Sequence, residues 1–120
     1  MQLHISPLPG GVPQDLGRRE LPGSKSHAQR AMLLAGLMPG TWELKGATQS
    51  QDVVVLGEAL EQLGATLSWT RDRLHITGRL GRRRSVAEVD LAENGTGART
   101  LLVLLARLGD TFRLYGREGL

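Results

Sequence analysis

An α/β fold, built from one β-α-β-α-β-β unit and part of a second, is what this 120-residue sequence predicts. Three observations carry that reading. Segments with apolar residues three and four apart alternate with short segments of period two, the signatures of helix and strand. Gly and Pro punctuate nearly every junction between them. The third is an internal echo. Ser26 to Gly46 runs small-polar residues, Arg30, an apolar helix, Pro-Gly and Thr-Trp-x-Leu-x-Gly, and Gly95 to Gly116 repeats that order with Arg99, Gly-Asp and Thr-Phe-x-Leu-x-Gly. Thr41, Trp42, Leu44 and Gly46 match Thr111, Phe112, Leu114 and Gly116 at an offset of 70, and the arginines match at 69.

Residues 1–20 are rich in Pro and Gly and read as linker, with a short strand at Leu3 to Ile5. After Leu21-Pro22-Gly23, Ser24 or Ser26 caps a helix whose predicted apolar face is Ala31, Leu34 and Leu37 with Met38 beside them. Pro39-Gly40 stops it, and Thr41 to Lys45 alternates as a strand with Trp42 and Leu44 on one face. Ser50 opens a second helix with Val53, Leu56, Leu60 and Leu63 on its face and Gly64 as its stop. Asp52 in its first turn suits the positive end of the helix dipole. Thr66 to Thr70 and Leu74 to Thr77 form a hairpin around Arg71-Asp72. Past the basic run Arg82-Arg83-Arg84, Val86 to Leu91 reads as a strand and Gly95 to Leu108 as a buried, leucine-rich helix. Thr111 to Tyr115 closes with Phe112 and Leu114 on one face. The organisation expected is therefore a linker (1–20), a first repeat (21–85) and a partial second repeat (86–120).

Composition narrows the chemistry. Hydrophobic residues make up 40% of the chain and aromatic residues 3%, so a core must rest on Leu, Val and Ala. With no cysteine and three scattered histidines, thiolate chemistry, disulfides and a histidine metal cluster are excluded. The net charge of +3 suits an anionic partner but is too small to specify nucleic acid. Arg82-Arg83-Arg84 has no neighbouring aromatic platform for bases and reads as a solvated loop. Neither a signal peptide nor a run long enough to cross a membrane is visible, so a soluble, cytoplasmic protein is expected.

The segment that carries chemistry is Leu21-Pro22-Gly23-Ser24-Lys25-Ser26-His27-Ala28-Gln29-Arg30. It sets hydroxyls and an ammonium at a helix N-terminus, where free N–H groups and the dipole favour an anion. Arg30 lies four residues from Ser26 on the same face and offers a planar fork for carboxylate or phosphate. A nucleotide P-loop is ruled out by spacing: five residues separate Gly17 from Gly23, and Ser24 intervenes before the lysine. On these residues alone, serines that merely cap a helix beside solvated cations remain an equal reading. His27 reads as a helix-surface histidine, Glu58 and Glu61 as solvated carboxylates, and Trp42 and Trp69 as core anchors.

The string LPGSKSHAQRAMLLAGL resembles the N-terminal signature of the 5-enolpyruvylshikimate-3-phosphate (EPSP) synthases. Ser50-Gln51-Asp52-Val53 is similar to the start of that family's second helix, and Ala59 to Ala65 to its A-L-x-x-L-G-A/V. Glu93-Asn94-Gly95-Thr96-Gly97-Ala98-Arg99 resembles its G-N-A-G-T-A-M-R. The resemblance implies an enolpyruvyl transferase type of fold. It also implies transfer of enolpyruvyl from phosphoenolpyruvate to shikimate-3-phosphate, in aromatic amino-acid biosynthesis, without metal or organic cofactor. By the same resemblance Lys25 binds the phosphoenolpyruvate end, Ser26 and Arg30 hold shikimate-3-phosphate, and Gly95 and Thr96 lie beside phosphoenolpyruvate. Arg99 supports the helix after that loop, and Asp52 orients Lys25 or a neighbour.

Three departures qualify it. Glu93 stands where the family has a ligand-facing Asn, and its carboxylate would repel an anionic substrate unless it turns away or pairs with an arginine; Asn94, one position along, is the alternative source of the amide. Thr100 replaces the usual Pro. Family members are three to four times as long, so the other domain's acid/base groups are missing and no catalytic residue is assigned. Turnover by the 120 residues alone is not expected. A complementing C-terminal portion is one expected partner. The other reading is a non-catalytic domain that binds phosphorylated metabolites or associates with copies of itself through apolar faces left uncovered.

Overall fold

A computed structural model describes residues 21–78, 87–108 and 111–120. The expected strand at Leu3 to Ile5, the linker 1–20, the Arg82-Arg83-Arg84 run and the 85/86 repeat boundary lie outside the described residues.

Helix α1 (Lys25–Leu37) begins at Ser24, whose hydroxyl accepts the His27 N–H at 3.4 Å. It ends where Gly40, at φ 107°, opens strand β1 (Gly40–Lys45). Helix α2 (Gln51–Gln62) starts at Ser50 and terminates in a Schellman turn, with the Ala65 N–H on the Leu60 carbonyl and the Gly64 N–H on that of Glu61. Gly64 takes φ 106° there, a conformation that favours glycine. Strands β2 (Thr66–Thr70) and β3 (Arg73–Gly78) form the expected hairpin, and its turn places Arg71 at φ 51°. Strand β3 lies centrally in an antiparallel sheet of order β1-β3-β2, with Leu44 opposite Leu74 and Trp69 opposite Leu74 on its other side.

The second half is laid out differently. Strand β4 (Ala87–Asp90), helix α3 (Gly95–Leu108) and strand β5 (Phe112–Tyr115) form a crossover unit whose two strands pair in parallel, Val89 opposite Leu114. One apolar core joins the halves: Met32 and Leu33 of α1, Val53, Leu56 and Leu60 of α2, and Leu74 and Ile76 of β3 cluster with Val89, Leu91, Leu101 and Leu105.

Three expectations about faces are corrected. The buried stripe of α1 is Gln29, Met32, Leu33 and Gly36 with Ala35, whereas Leu34 and Met38 are exposed. The sheet and α2 lie on the Met32 side, and the run Ala31 to Leu37 is too uniformly apolar or small for its pattern to single out a face. Trp42 is 41% exposed rather than a core anchor, while Trp69 does pack against the core. Helix α3 is buried only along Gly97, Leu101 and Leu105, with Leu102 and Val103 facing outward.

Candidate functional site

The loop before α1 is held by a close backbone approach. A Cβ at Gly23 would overlap the Gly46 carbonyl, so only glycine lets Leu21 to Ser24 cross the end of β1 at this height. Gly46 is itself tied to the hairpin, its N–H donating to the Asp72 carbonyl at 2.9 Å. The sheet thereby fixes where α1 begins.

From that start two side-chain pairs form. The Lys25 ammonium lies 2.7 Å from the Asp52 carboxylate, with side-chain exposures of 55% and 29%. Asp52 occupies the first turn of α2, where the helix dipole also favours its charge. One step along, Arg30 donates to the Ser26 hydroxyl at 2.9 Å, a bond across one helical turn on an open face. Of the two partners left open for Asp52, Lys25 or a neighbour, the structure pairs it with Lys25, while Ser26 and Arg30, expected to face a common ligand, are bonded to each other.

The α3 end is brought to the same place from the other half. Asn94 is only 1% exposed. Its Oδ1 accepts the Gly97 N–H at 2.8 Å, and its Nδ2 donates to the Asp52 main-chain carbonyl at 2.8 Å. The N-termini of α1, α2 and α3 therefore converge on Asp52, through its carboxylate on one side and its carbonyl on the other. A small polar cleft of about 40 Å³, lined by Gln51, Asp52, Glu93 and Asn94 among others, marks the junction of α2 and α3.

Other predicted residues fall around this junction. Gly95 has open space where a side chain would stand. Thr96 is half-buried, and its carbonyl accepts from the Thr100 hydroxyl at 2.8 Å, so the threonine in place of proline bonds back within the helix. Arg99 and Arg30 stand on one apolar groove between α1 and α3, formed with Leu33, Leu34, Val103 and Leu104. Glu93 is exposed and lies against Gly119; among the described residues it pairs with no arginine. The Asn94 amide cannot serve a ligand while both its polar atoms are engaged inside the protein. His27, Glu58 and Glu61 are on the surface, as read from sequence.

Two features escaped the sequence reading. Gln29 is fully buried in α1, and neither its Oε1 nor its Nε2 has a partner among the described residues; the same holds for the buried Ser50 hydroxyl. Gln29 sits at i, i+3, i+4 and i+7 spacing with Met32, Leu33 and Gly36, a signal available in the sequence once the correct face is chosen. The second is a charge cluster on the outer face of the sheet. There Arg73 donates to Glu43 at 3.0 Å, with Lys45 at 3.7 Å and His75 at 3.9 Å. The Arg73 hydrogen bond holds the Glu43 carboxyl below its usual range, aided by the positive charges around it.

Among the described residues no group of three potential ligands is placed to hold a metal, and no helix is long and apolar enough to cross a membrane. The sequence model of the EPSP synthase (3-phosphoshikimate 1-carboxyvinyltransferase) family matches residues 15–120. A 3-phosphoshikimate 1-carboxyvinyltransferase of Rhodospirillum rubrum is 36% identical over 114 residues, covering 87% of this chain and 25% of that protein. Its counterpart in Bordetella pertussis is 39% identical over 101 residues, covering 83% of this chain and 23% of that protein. The EPSP synthase structure from Acinetobacter baumannii superimposes with a TM-score of 0.74 at 20% identity, over 87% of this chain and 24% of the other, a likeness of fold. The chain thus spans about a quarter of the length of the relatives it matches. With this fold, these helix starts and this match over most of its length, the chain belongs to the EPSP synthase family.

Proposed function

We propose that this chain forms the N-terminal part of the substrate cleft of an EPSP synthase, which transfers enolpyruvyl from phosphoenolpyruvate to shikimate-3-phosphate. The observation that carries the reading is the pairing of Lys25 with Asp52 at 2.7 Å, beside the Ser26–Arg30 pair on the open start of α1. An ammonium held in place at a helix N-terminus is suited to the phosphate or carboxylate of phosphoenolpyruvate. The Arg30 fork and the Ser26 hydroxyl, already directed at each other, form a clamp for the phosphate of shikimate-3-phosphate. Gly95 leaves room for close approach to the second loop, and Thr96 follows it. The remaining cations and the acid/base groups come from a complementing C-terminal portion, so these 120 residues bind without turning over. The chemistry needs no cofactor: the 5-hydroxyl adds to C2 of phosphoenolpyruvate, and the tetrahedral adduct then loses phosphate.

Calorimetric titration of the chain with shikimate-3-phosphate tests this. Binding is expected, weakened roughly tenfold or more by Arg30→Ala, in line with the loss of a charged hydrogen bond. Lys25→Ala should weaken phosphoenolpyruvate more than shikimate-3-phosphate. No heat from the parent chain with either ligand would defeat the proposal.

A further inference from the structure

We propose that Asn94 is a positioning residue for the anion site, one buried amide that sets Asp52, and through Asp52 the Lys25 ammonium, relative to the start of α3. The inference rests on the proposed function, but its central observation does not require a ligand.

Asn94 bridges two backbones that belong to different halves of the fold. Its oxygen receives the Gly97 N–H and its nitrogen gives to the Asp52 carbonyl, each at 2.8 Å. Only this orientation of the amide satisfies both partners, because the flipped one would set donor against donor and acceptor against acceptor. Space around it is equally committed. A Cβ at Gly97 would stand 2.5 Å from Nδ2 and 2.8 Å from Cγ, so the missing side chain at 97 is what lets the amide lie flat across the helix start. At 1% exposure, water cannot replace either bond.

The coupling runs through one residue. Asp52 offers its carbonyl to Asn94 and its carboxylate to Lys25, so a displacement of its peptide unit moves the carboxylate and the ammonium with it. A helix cap needs only the oxygen of Asn94. The nitrogen does separate work, and serine or aspartate at this position would keep the first role while dropping the second. Loops 21–24 and 92–96 are thus placed by a common anchor.

Side-chain NMR gives a direct test, since the sequence has only two lysines, Lys25 and Lys45. The Lys25 ammonium resonance is recorded in the parent, in Asp52→Asn as the unpaired reference, and in Asn94→Ser and Asn94→Asp. Both Asn94 variants are expected to retain helical shifts through α3 while the Lys25 signal moves most of the way to the Asp52→Asn position. Affinity for inorganic phosphate should fall roughly five- to tenfold in Asn94→Ser, the size of a modest coupling between sites. An unmoved Lys25 signal in Asn94→Ser overturns the proposal, including the case in which Asn94→Asp alone responds through its added charge. If both variants lose their fold, the reciprocal measurement decides. Lys25→Met alters only the exposed member, and the Asn94 side-chain amide and Gly97 N–H resonances must then shift. Their constancy would equally overturn the tether. A parent that binds no phosphate while its Lys25 signal follows Asn94 refutes the proposed function and leaves the tether standing.

Discussion

The starts of helices α1 and α3 echo each other in sequence at an offset of 70, yet they are built for opposite ends. Ser24 and Asn94 lie 70 positions apart, and each caps its helix by accepting from the N–H three residues on. At α1 the cap is exposed and long, 3.4 Å, and Lys25, His27 and Arg30 after it are exposed. At α3 the cap is buried and short, 2.8 Å, and its spare donor is spent on another helix. Two helix starts that echo each other in sequence are thus used differently. One presents its cations to the outside, and the other holds the first in place.

Substitution at matched positions should expose that division. Gly97→Ala is expected to destabilise by about 2–3 kcal/mol in urea unfolding, because the new methyl overlaps the Asn94 amide in a closed site. His27→Ala, at the matching position of α1, should stay within about 0.5 kcal/mol of the parent. Equal losses at the two positions would mean that both helix starts are equally packed, and no division of labour would remain.

The next effect has the opposite sign. Gln29 is buried without partners among the described residues, and Met has nearly its shape. Gln29→Met should stabilise the chain by about 1 kcal/mol, since an unmet buried amide is replaced by a fitting apolar side chain. A loss of stability would reveal that the amide is satisfied in solution.

Much of this architecture is legible in the sequence. The α2 face, the hairpin with its turn at Arg71-Asp72, and the span of α3 follow from periodicity broken by Gly, Pro and charged residues. The α1 face does not, because Ala31 to Leu37 is apolar or small throughout and supplies no contrast, while polar Gln29 diverts attention from the side it occupies. That Ser26 and Arg30 share a face follows from helical spacing, and the resemblance names Lys25 as one of the open partners for Asp52. The role of Asn94 is not. Motif alignment offers its amide to a ligand, whereas the pattern Asn-x-x-Gly before an apolar helix already describes a cap. Which carbonyl receives its other end is a long-range fact that no local pattern contains.

The smallest expected effect concerns the charge cluster on the sheet. Glu43 has its carboxyl held low by Arg73, so its contribution to stability is present above the ordinary carboxylate range and fades as pH falls through the depressed value. Urea midpoints measured from neutral pH to well below about pH 4 should show Glu43→Gln with a shallower acid-side decline than the parent. Identical slopes would mean that the Glu43 carboxylate makes no contribution at neutral pH that acid removes.

The bond from Asn94 to the Asp52 carbonyl also bears on the order in which the chain folds. The sheet β1-β3-β2 and its two helices draw on neighbouring stretches of sequence, whereas the Asn94 amide nitrogen finds its partner only once the first turn of α2 exists to receive it. The Gly97 amide should accordingly exchange with solvent only when the whole chain unfolds, at the rate of the slowest protons in β3. Faster exchange at Gly97 would mean that the latter half opens alone, before the sheet does.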